Sequence, residues 1–401
     1  MRTGRPGLAC VSGLLLFGIA VGSLFVQATY GDAPAPPPLR VEGLSAADRG
    51  RVRLVDGIPV LRLSGTPYEI GRQHGAILAP QIRFLEKEYV EAMVASAVGG
   101  KGKLLDWARS VEEFIPEAYR QELRGIAAGA GMTYERVLVA NTMVDRFQTL
   151  MCSTVVAAGD ATRDREVYFG RNLDFPGRRV LHQMTVVVVY EVEGATPVVS
   201  VTWPGLVGVL SGMNGHGVCG ATMLVHRRKS LRPGMPYMIM YREALARARK
   251  MGDVYDYIEK AKRTCPNNFM VVDATGTAEV IEFDQDVVAR RPAARGTVCS
   301  TNHFRTKELA GTEGWRAGED RYTSLAEFLE REHGKIDVDR IRKALADVAT
   351  PWLLNVQSMV FLPARRALHL SKGGVLPAAR QPFVHLSREV LFGRRAPAAA
   401  K

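Results

Sequence analysis

The segment MCSTVVAAGDATRDREVYFGRNLDFP, residues 151–176, contains two runs rich in β-branched and aromatic residues, separated by a charged connection. Such runs, bounded by Gly, Asp and Asn, are typical of β-strands, and a short polar connection between them predicts a hairpin. The hairpin would place Arg171 and Asp174, from the second strand, beside Cys152 at the head of the first. A cation beside a thiol lowers the thiol pKa, and a carboxylate paired with the guanidinium group fixes its orientation.

These three residues lack a general base for the thiol. Cleavage of the chain between Met151 and Cys152 would create one, because a free α-amine has a pKa of about 7.7–8.0. An N-terminal amine can activate a nucleophile on its own residue. The sequence therefore favours a mature catalytic chain that begins at Cys152. A papain-type pair with a histidine such as His74 or His303 stays open as an alternative, although the local signature of that family is missing.

The rest of the chain predicts an α+β protein, with helices packed on mostly antiparallel sheet structure. Helical periodicity dominates the segment before Cys152, including an apolar face over residues 65–98. β-Branched runs then recur, interrupted by two helical blocks at Tyr237–Met251 and Tyr322–Ala346. The runs that predict further strands are Met184–Glu191, Val198–Trp203, Val218–Met223, Phe269–Asp273, Ala278–Phe283, Val356–Leu362 and Arg366–Ser371.

The N-terminus has the pattern of an export signal. Arg2 and Arg5 precede an apolar run from Leu8 to Val26, and small residues near Ala28 suit a signal peptidase. We therefore predict an exported protein, periplasmic or extracellular. Its predicted segments are a signal peptide over 1–28, a Pro-rich linker over 29–50, a helical front chain over 51–151, a catalytic chain over 152–393 and a basic tail over 394–401. The apolar run is also long enough to span a bilayer, so an uncleaved membrane anchor is the alternative.

Composition and motifs argue against several other classes of protein. The net charge of +12 is spread over scattered Arg and Lys residues without a nucleic-acid-binding module, so we expect no nucleic-acid partner. Five cysteines, of which Cys10 lies in the signal, are too few for a disulfide scaffold, and no metal-binding spacing is present. The stretch GHGVCG, Gly215–Gly220, matches G-x-G-x-x-G, but a strand follows it where a nucleotide site needs a helix. We interpret it as a glycine-rich hairpin with Asn214 as a turn residue, and we expect no cofactor.

Six stretches share their order and spacing with one known family. They are GTPYEIGRQHG (65–75), CSTVVA with VYFGRNLDF (152–175), WPGLVGVLSGMNGHGVCG (203–220), NNFMVVDATGTAEVIEF (267–283), STNHF (300–304) and QSMVFLPARRALHLS (357–371). With them the chain resembles the N-terminal-nucleophile (Ntn) hydrolases, and within these the autoproteolytic branch that includes acyl-coenzyme A:6-aminopenicillanic acid acyltransferase. Choloylglycine hydrolase, penicillin V acylase, acid ceramidase and N-acylethanolamine acid amidase are relatives. The resemblance implies an αββα sandwich, with two antiparallel sheets between helical layers.

The resemblance also implies roles for the residues of the hairpin and beyond it. Cys152 would be the nucleophile and the self-cleavage point, while Arg171 and Asp174 would position and tune the thiol and the new amine. Asn302 would donate a side-chain N–H to the oxyanion. Arg321 would match a second arginine of bile-salt hydrolases.

The substrate pocket is less well marked by the resemblance. Trp203 and Met223 would line it. Relatives carry a second oxyanion asparagine where this chain has Met223 or Leu224, so the second oxyanion donor stays open.

The implied function is that of an exported, self-cleaving cysteine amidohydrolase or acyltransferase. It would act on a small-molecule, linear, non-peptide amide through a thioester, without a cofactor, and its two cleaved chains would stay associated. A membrane would be a partner only if the N-terminal segment is uncleaved. The alternatives are a dipeptidase with an N-terminal cysteine and an inactive, membrane-tethered binding member of the fold.

Overall fold

The computed structural model describes residues 34–49, 51–146, 151–226, 231–313, 316–351 and 354–393. The predicted signal peptide, residues 29–33 of the predicted linker and the predicted basic tail lie outside the described residues. Within the described ranges, no helix is both long enough and apolar enough to cross a bilayer.

The helices are numbered here in chain order. They are α1 (Ala46–Arg49), α2 (Pro67–Ile77), α3 (Ala79–Leu85), α4 (Glu86–Val94, π-helical), α5 (Ala95–Ala97), α6 (Lys101–Glu112), α7 (Glu117–Ala130), α8 (Tyr134–Thr142), α9 (Tyr237–Arg247), α10 (Met251–Lys260), α11 (Glu319–Arg331), α12 (Val338–Asp347) and α13 (Arg388–Phe392). Short 3-10 turns lie at Met143–Asp145, Gly159–Ala161 and Ala378–Arg380.

The strands form two sheets. The larger sheet has the order β1-β2-β5-β6-β7-β8-β9-β10-β11. Its strands are β1 (Val52–Val55), β2 (Ile58–Gly65), β5 (Val186–Val192), β6 (Val198–Thr202), β7 (Ser211–Asn214), β8 (Cys219–Leu224), β9 (Asn267–Val272), β10 (Ala278–Phe283) and β11 (Val288–Pro292). The smaller sheet has the order β12-β3-β4-β13-β14-β15. Its strands are β3 (Met151–Ala157), β4 (Tyr168–Asp174), β12 (Thr297–Ser300), β13 (Asn355–Leu362), β14 (Ala367–Lys372) and β15 (Val384–Leu386).

The predicted hairpin over residues 151–176 is the centre of the smaller sheet. β3 and β4 pair antiparallel, with Cys152 opposite Leu173 and Thr154 opposite Arg171. Successive residues of β3 face opposite sides, as the two-residue period of a strand requires. Val156 joins the core between the sheets, while Val155 packs in a second apolar cluster with residues of α12.

The two sheets stack between helical layers, which confirms the predicted αββα sandwich. β3 of the smaller sheet contacts β8 of the larger one. Helices α9 and α10 pack on the larger sheet, and α11 and α12 pack on the smaller sheet. One detail of the prediction is wrong, because β2 and β5 pair in parallel. Parallel strands start at the same end of a sheet, and the long stretch of chain between β2 and β5 provides the crossover that this requires.

Helices α2 and α7 of the front segment lie unusually close together. Each carries two glycines four residues apart, so the glycines line up on one helical face. A Cβ added at Gly71 would overlap the backbone of Glu122, and one added at Gly125 would overlap the backbone of Tyr68. Glycine is therefore required at these positions for the two backbones to meet.

Several predicted elements differ from the structure at their ends. The block predicted as one helix over 322–346 is two helices, α11 and α12, separated by a turn in which Gly334 has a φ of +81°. The block predicted over 237–251 ends earlier, at Arg247, and α10 then begins at Met251. The G-x-G-x-x-G stretch is a hairpin as predicted, because β7 and β8 pair antiparallel and the Asn214 Oδ1 atom accepts the N–H of His216 and of Val218.

Candidate active site

Cys152 lies buried at the head of β3, with its backbone nitrogen held by a side chain from another part of the chain. The Cys152 N–H donates to Asn302 Oδ1 over 2.6 Å. Asn302 follows β12, the neighbour of β3 in the smaller sheet, and is itself buried. The nitrogen that cleavage would turn into an amine is therefore already oriented by an amide oxygen.

The thiol of Cys152 faces the two residues that the hairpin was expected to bring beside it. Burial raises the pKa of the Cys152 thiol, while the Arg171 guanidinium and the Asp174 backbone N–H lower it. The negative charge of the Asp174 carboxyl acts in the same direction as burial and raises the pKa of the thiol. The register of β3 and β4 produces this contact, since Arg171 and Asp174 lie on β4 within three positions of Cys152's partner Leu173.

Arg171 is fully buried and is held from the opposite sheet. Its Nε atom donates to the Ser211 Oγ atom over 3.1 Å, and Ser211 begins β7. Among the described residues, its Nη1 and Nη2 atoms have no hydrogen-bond partner. The charge of Arg171 acts on both neighbours, since it lowers the pKa of the Cys152 thiol and that of the Asp174 carboxyl.

Asp174 is buried and is fixed by neighbours on two sides. The Asn355 Nδ2 atom donates to Asp174 Oδ1 over 2.7 Å, and Arg321 Nη1 lies 3.8 Å from Asp174 Oδ2. Burial raises the pKa of the Asp174 carboxyl, and Arg321, Asn355, Thr350 and Arg171 oppose that rise.

Arg321 reaches into the site from the first turn of α11. Its Nη1 atom donates to the Cys152 carbonyl oxygen over 2.5 Å and to Ser153 Oγ over 2.7 Å. Its Nη2 atom donates to Asn302 Oδ1 over 3.1 Å. Arg321 therefore binds the backbone of Cys152 directly, and the structure brings it together with Cys152, Asp174 and Asn302.

The orientation of Asn302 differs from the predicted one. The prediction directed its side-chain N–H at the oxyanion, but in the structure the Nδ2 atom donates to the Leu224 carbonyl over 2.8 Å. The amide meets Cys152 through its oxygen instead. The cause is the buried Leu224 carbonyl at the end of β8, which accepts the N–H and so leaves the amide oxygen facing the Cys152 nitrogen.

Of the predicted pocket residues, Trp203 lines a cavity in the structure. Its Nε1 atom donates to the Leu181 carbonyl over 2.7 Å, and its ring stacks on Phe175 at 5.8 Å between centroids. Met223 instead lies between the sheets, where its sulfur accepts the Thr154 hydroxyl over 3.3 Å. The alternation of β8 directs the Met223 side chain at β3, and its place in a substrate pocket stays a prediction.

An apolar cavity adjoins the site. Two residues that line it are sequence neighbours of the site. Phe175 follows Asp174, and Leu210 precedes Ser211, the hydrogen-bond partner of Arg171. The volume in which the centre of a water molecule can lie is about 40 Å³. Its walls include Ile82, Leu85, Tyr89, Val90, Met143, Val144, Phe175, Leu181, Trp203, Leu206 and Leu210, so helices before Cys152 and loops after it both contribute.

Residues missed at the sequence level are Ser211 and Asn355. Ser211 lies in the stretch that carries part of the resemblance, but nothing in its local sequence distinguishes it from a turn serine. Asn355 begins β13, next to β4, and only the sheet order brings it to Asp174.

The two histidines considered as partners for Cys152 are bound elsewhere. The His74 Nε2 atom accepts the Gly205 N–H over 3.0 Å, and burial lowers the pKa of His74 to about 3. The His303 Nδ1 atom lies 3.2 Å from the Thr301 hydroxyl oxygen.

The four cysteines within the described ranges form no disulfide with one another. Cys152, Cys219, Cys265 and Cys299 are all free and buried. In the described part of the chain, no three His, Cys, Asp or Glu side chains are grouped so that they could hold a metal ion.

A family model described as acyl-coenzyme A:6-aminopenicillanic acid acyl-transferase matches residues 161–358. The matched span contains Arg171, Asp174, Asn302 and Arg321 and begins after Cys152. The match therefore does not bear on Cys152, whose role as nucleophile stays a prediction.

Curated proteins and solved structures resemble the chain more distantly. An uncharacterized protein of Archaeoglobus fulgidus is 26% identical over 353 residues, which cover 74% of this chain and 59% of that protein. The N-acylethanolamine-hydrolyzing acid amidase of Rattus norvegicus is 26% identical over 152 residues, covering 34% of this chain and 40% of the amidase. The chain thus spans less than two thirds of either relative. The structure of a Caenorhabditis elegans ortholog of that amidase covers 53% of this chain and 93% of its own, with a TM-score of 0.42 and 17% identity.

The family match includes the four polar residues that surround Cys152 in the structure. The resemblance of the chain to the family of acyl-coenzyme A:6-aminopenicillanic acid acyl-transferase is thereby confirmed over residues 161–358, just under half of its length.

Proposed function

We propose that the protein is a self-cleaving cysteine amidohydrolase or acyltransferase that acts on amides with an apolar acyl group. One observation carries the proposal. The nitrogen and the thiol of Cys152 are both buried, with Asn302 Oδ1 at the nitrogen and Arg171 and Asp174 at the thiol. A nucleophile and a nitrogen on one residue form the pair that N-terminal-nucleophile catalysis needs.

In the first reaction, the Cys152 sulfur attacks the carbonyl carbon of Met151. The bond between that carbon and the Cys152 nitrogen breaks, and the thiol proton is transferred to the nitrogen, which becomes an amine. Water then hydrolyses the thioester, leaving a carboxylate on Met151 and a free thiol on Cys152. The products are the front chain, residues up to 151, and a catalytic chain that begins at residue 152.

In turnover, the amine of Cys152 takes the thiol proton and the sulfur attacks the amide carbonyl of the substrate. The C–N bond of the substrate breaks as the proton passes to the leaving amine, which leaves an acyl thioester on the sulfur. Water, or a second amine, then takes the acyl group. Arg171 favours the thiolate by its charge, and Arg321 holds the Cys152 backbone.

The apolar cavity supports the acyl specificity. Its walls are aliphatic and aromatic, and the charged member of the wall, Glu86, is bound to Arg136 through an Oε1–Nε contact of 2.8 Å. The rat relative is named for hydrolysis of N-acylethanolamines, in which an amide joins the acyl group to ethanolamine. We therefore take N-acylethanolamines as the first substrates to test, with N-acyl amino acids as the second.

Export is the remaining part of the proposal. The charged start and apolar run of residues 1–28 support secretion of the precursor, with cleavage near Ala28. Intact-mass analysis of the secreted protein would give the start of the front chain. A front chain that still carries residues 8–26 would support the membrane-anchored alternative.

Intact-mass analysis of the wild type and of Cys152→Ala tests self-cleavage. We expect two wild-type chains divided before Cys152 and an uncut Cys152→Ala chain. A wild-type protein that stays whole yet hydrolyses amides would contradict the proposal. A panel of N-acylethanolamines and dipeptides then separates the proposed activity from the dipeptidase alternative, and a cut protein inactive on both would favour the binding alternative.

A further inference from the structure

The front segment is fixed to the rest of the protein shortly before the scissile bond. Helix α8 ends at Thr142, and the 3-10 turn Met143–Asp145 follows it. Only five residues, 146–150, connect this turn to Met151. The position of the turn therefore limits how the chain can enter β3.

Asn141 clamps the start of this turn to the catalytic chain. Its Nδ2 atom donates to the Gly205 carbonyl over 2.9 Å, and its Oδ1 atom accepts the Val207 N–H over 2.8 Å. The same Nδ2 atom also donates to the Val137 carbonyl within α8, over 2.9 Å. The side chain is 2% exposed, so these bonds are made away from water, where leaving either group unpaired is costly.

Asp145 fixes the other end of the turn. Its carboxyl is 1% exposed and faces the backbone N–H of Tyr237 and the hydroxyl of Thr264. Tyr237 is the first residue of α9, so the carboxylate lies at the positive end of a helix. The titratable side chains that face it are Cys265, Tyr237 and Tyr241, and its charge raises the pKa of each.

We propose that Asn141 and Asp145 are positioning residues for self-cleavage, which hold the turn on the catalytic chain so that the Met151 carbonyl meets the Cys152 thiol. The inference rests on the proposed function. A displacement of about 1 Å in a reacting pair can reduce a rate by about 100-fold, so the effect on cleavage does not require contact with the thiol. The same two residues keep Met143 and Val144 in the cavity wall once the chain is cut.

The chain contains a matched control for each residue. Asn214 is a buried asparagine whose Nδ2 atom donates to the Leu245 and Ala248 carbonyls, each over 2.7 Å, within the catalytic chain. Asp273 is a buried aspartate that accepts the N–H of Met251, the first residue of α10, over 3.1 Å. Both make the same kinds of bond as the clamp, away from the front segment.

The test compares Asn141→Ala with Asn214→Ala, and Asp145→Ala with Asp273→Ala, in the full chain. Intact-mass analysis after cell-free synthesis gives the rate of the cut before Cys152. We expect each clamp variant to be cut at least about tenfold more slowly than its control. Urea unfolding in the Cys152→Ala background measures the loss of stability, which we expect to be similar within each pair.

A second readout separates positioning from a merely structural role. Because burial raises the pKa of Asp145 to about 7, the pH profile of the wild-type cleavage rate should contain a step centred near pH 7 that is missing from the profile of Asp145→Asn. Cleavage of the folded clamp variants at the control rate would overturn the inference and leave the proposed function standing. A wild type that is never cut would instead remove the proposed function itself.

Discussion

Asp145→Asn should change how the stability of the uncut protein depends on pH. Burial raises the pKa of the Asp145 carboxyl from 3.8 to about 7, against the Thr264 hydroxyl and the Tyr237 N–H, which lower it. The folded state therefore holds a proton between pH 4 and pH 7 that the unfolded state releases. The stabilisation from this proton is fully present below pH 3.8 and is lost as the pH rises through 7.

The size of the effect follows from the two pKa values. A difference of one pH unit between folded and unfolded pKa corresponds to about 1.4 kcal/mol, so the whole transition is worth about 4 kcal/mol. Asparagine keeps an oxygen that accepts the Tyr237 N–H but carries no titrating proton. As the pH rises from 4 to 7, the free energy of unfolding of Asp145→Asn should therefore increase relative to that of the protein with Asp145 by about 1.4 kcal/mol per pH unit.

Urea unfolding of Cys152→Ala and of Cys152→Ala with Asp145→Asn, at pH 5, 6, 7 and 8, measures this difference. The Cys152→Ala background keeps the chain whole, so that unfolding does not separate two chains. The substitution Asp160→Asn, at a surface carboxylate that is 79% exposed, serves as the control for removal of one charge. A free-energy difference between the two proteins that stays constant from pH 5 to pH 8 would refute the reasoning.

Three further predictions concern the buried charges. Arg242→Met should lower the free energy of unfolding by about 3–5 kcal/mol, because it leaves the buried Glu122 carboxylate without its partner. The Glu122 Oε1 atom lies 2.8 Å from Arg242 Nη1, and the two side chains are only 2–3% exposed. Adding Glu122→Leu should restore most of the loss in urea unfolding, and a loss below about 1 kcal/mol in Arg242→Met alone would contradict this. Arg171→Met should raise the pKa of the Cys152 thiol in the cut enzyme, measured as a shift of iodoacetamide alkylation to higher pH, and an unmoved profile would show that Arg171 does not act on the thiol. Asn355→Ala removes the 2.7 Å donor to the Asp174 carboxylate and should lower kcat about 10- to 100-fold with KM little changed; a change confined to KM would place Asn355 in substrate binding instead.

The local parts of the fold were predictable from the sequence. The β3–β4 hairpin follows from β-branched runs around a polar connection, and a strand pair needs no distant residue to define it. The contact of Cys152 with Arg171 and Asp174 follows in turn from antiparallel register. The hairpin at Gly215–Gly220 was likewise predictable, because the apolar run after it has the period of a strand.

The rest of the site was decided by tertiary structure. Asn355 and Arg321 lie some 170 to 200 residues beyond Cys152 and reach it only because β13 and the start of α11 flank the hairpin. The amide of Asn302 turns its oxygen to Cys152 because the carbonyl of Leu224, on the other sheet, takes its N–H.

Side-chain periodicity and the turns between neighbouring elements were enough to predict the strand pair that carries Cys152 and the α+β class of the fold. The tertiary structure was needed to establish which groups orient the Cys152 nitrogen, that Met223 faces β3, and that the front helices close an apolar cavity beside Asp174. Each of these depends on the stacking of two sheets from distant segments, and no local pattern of residues encodes the direction in which such side chains meet.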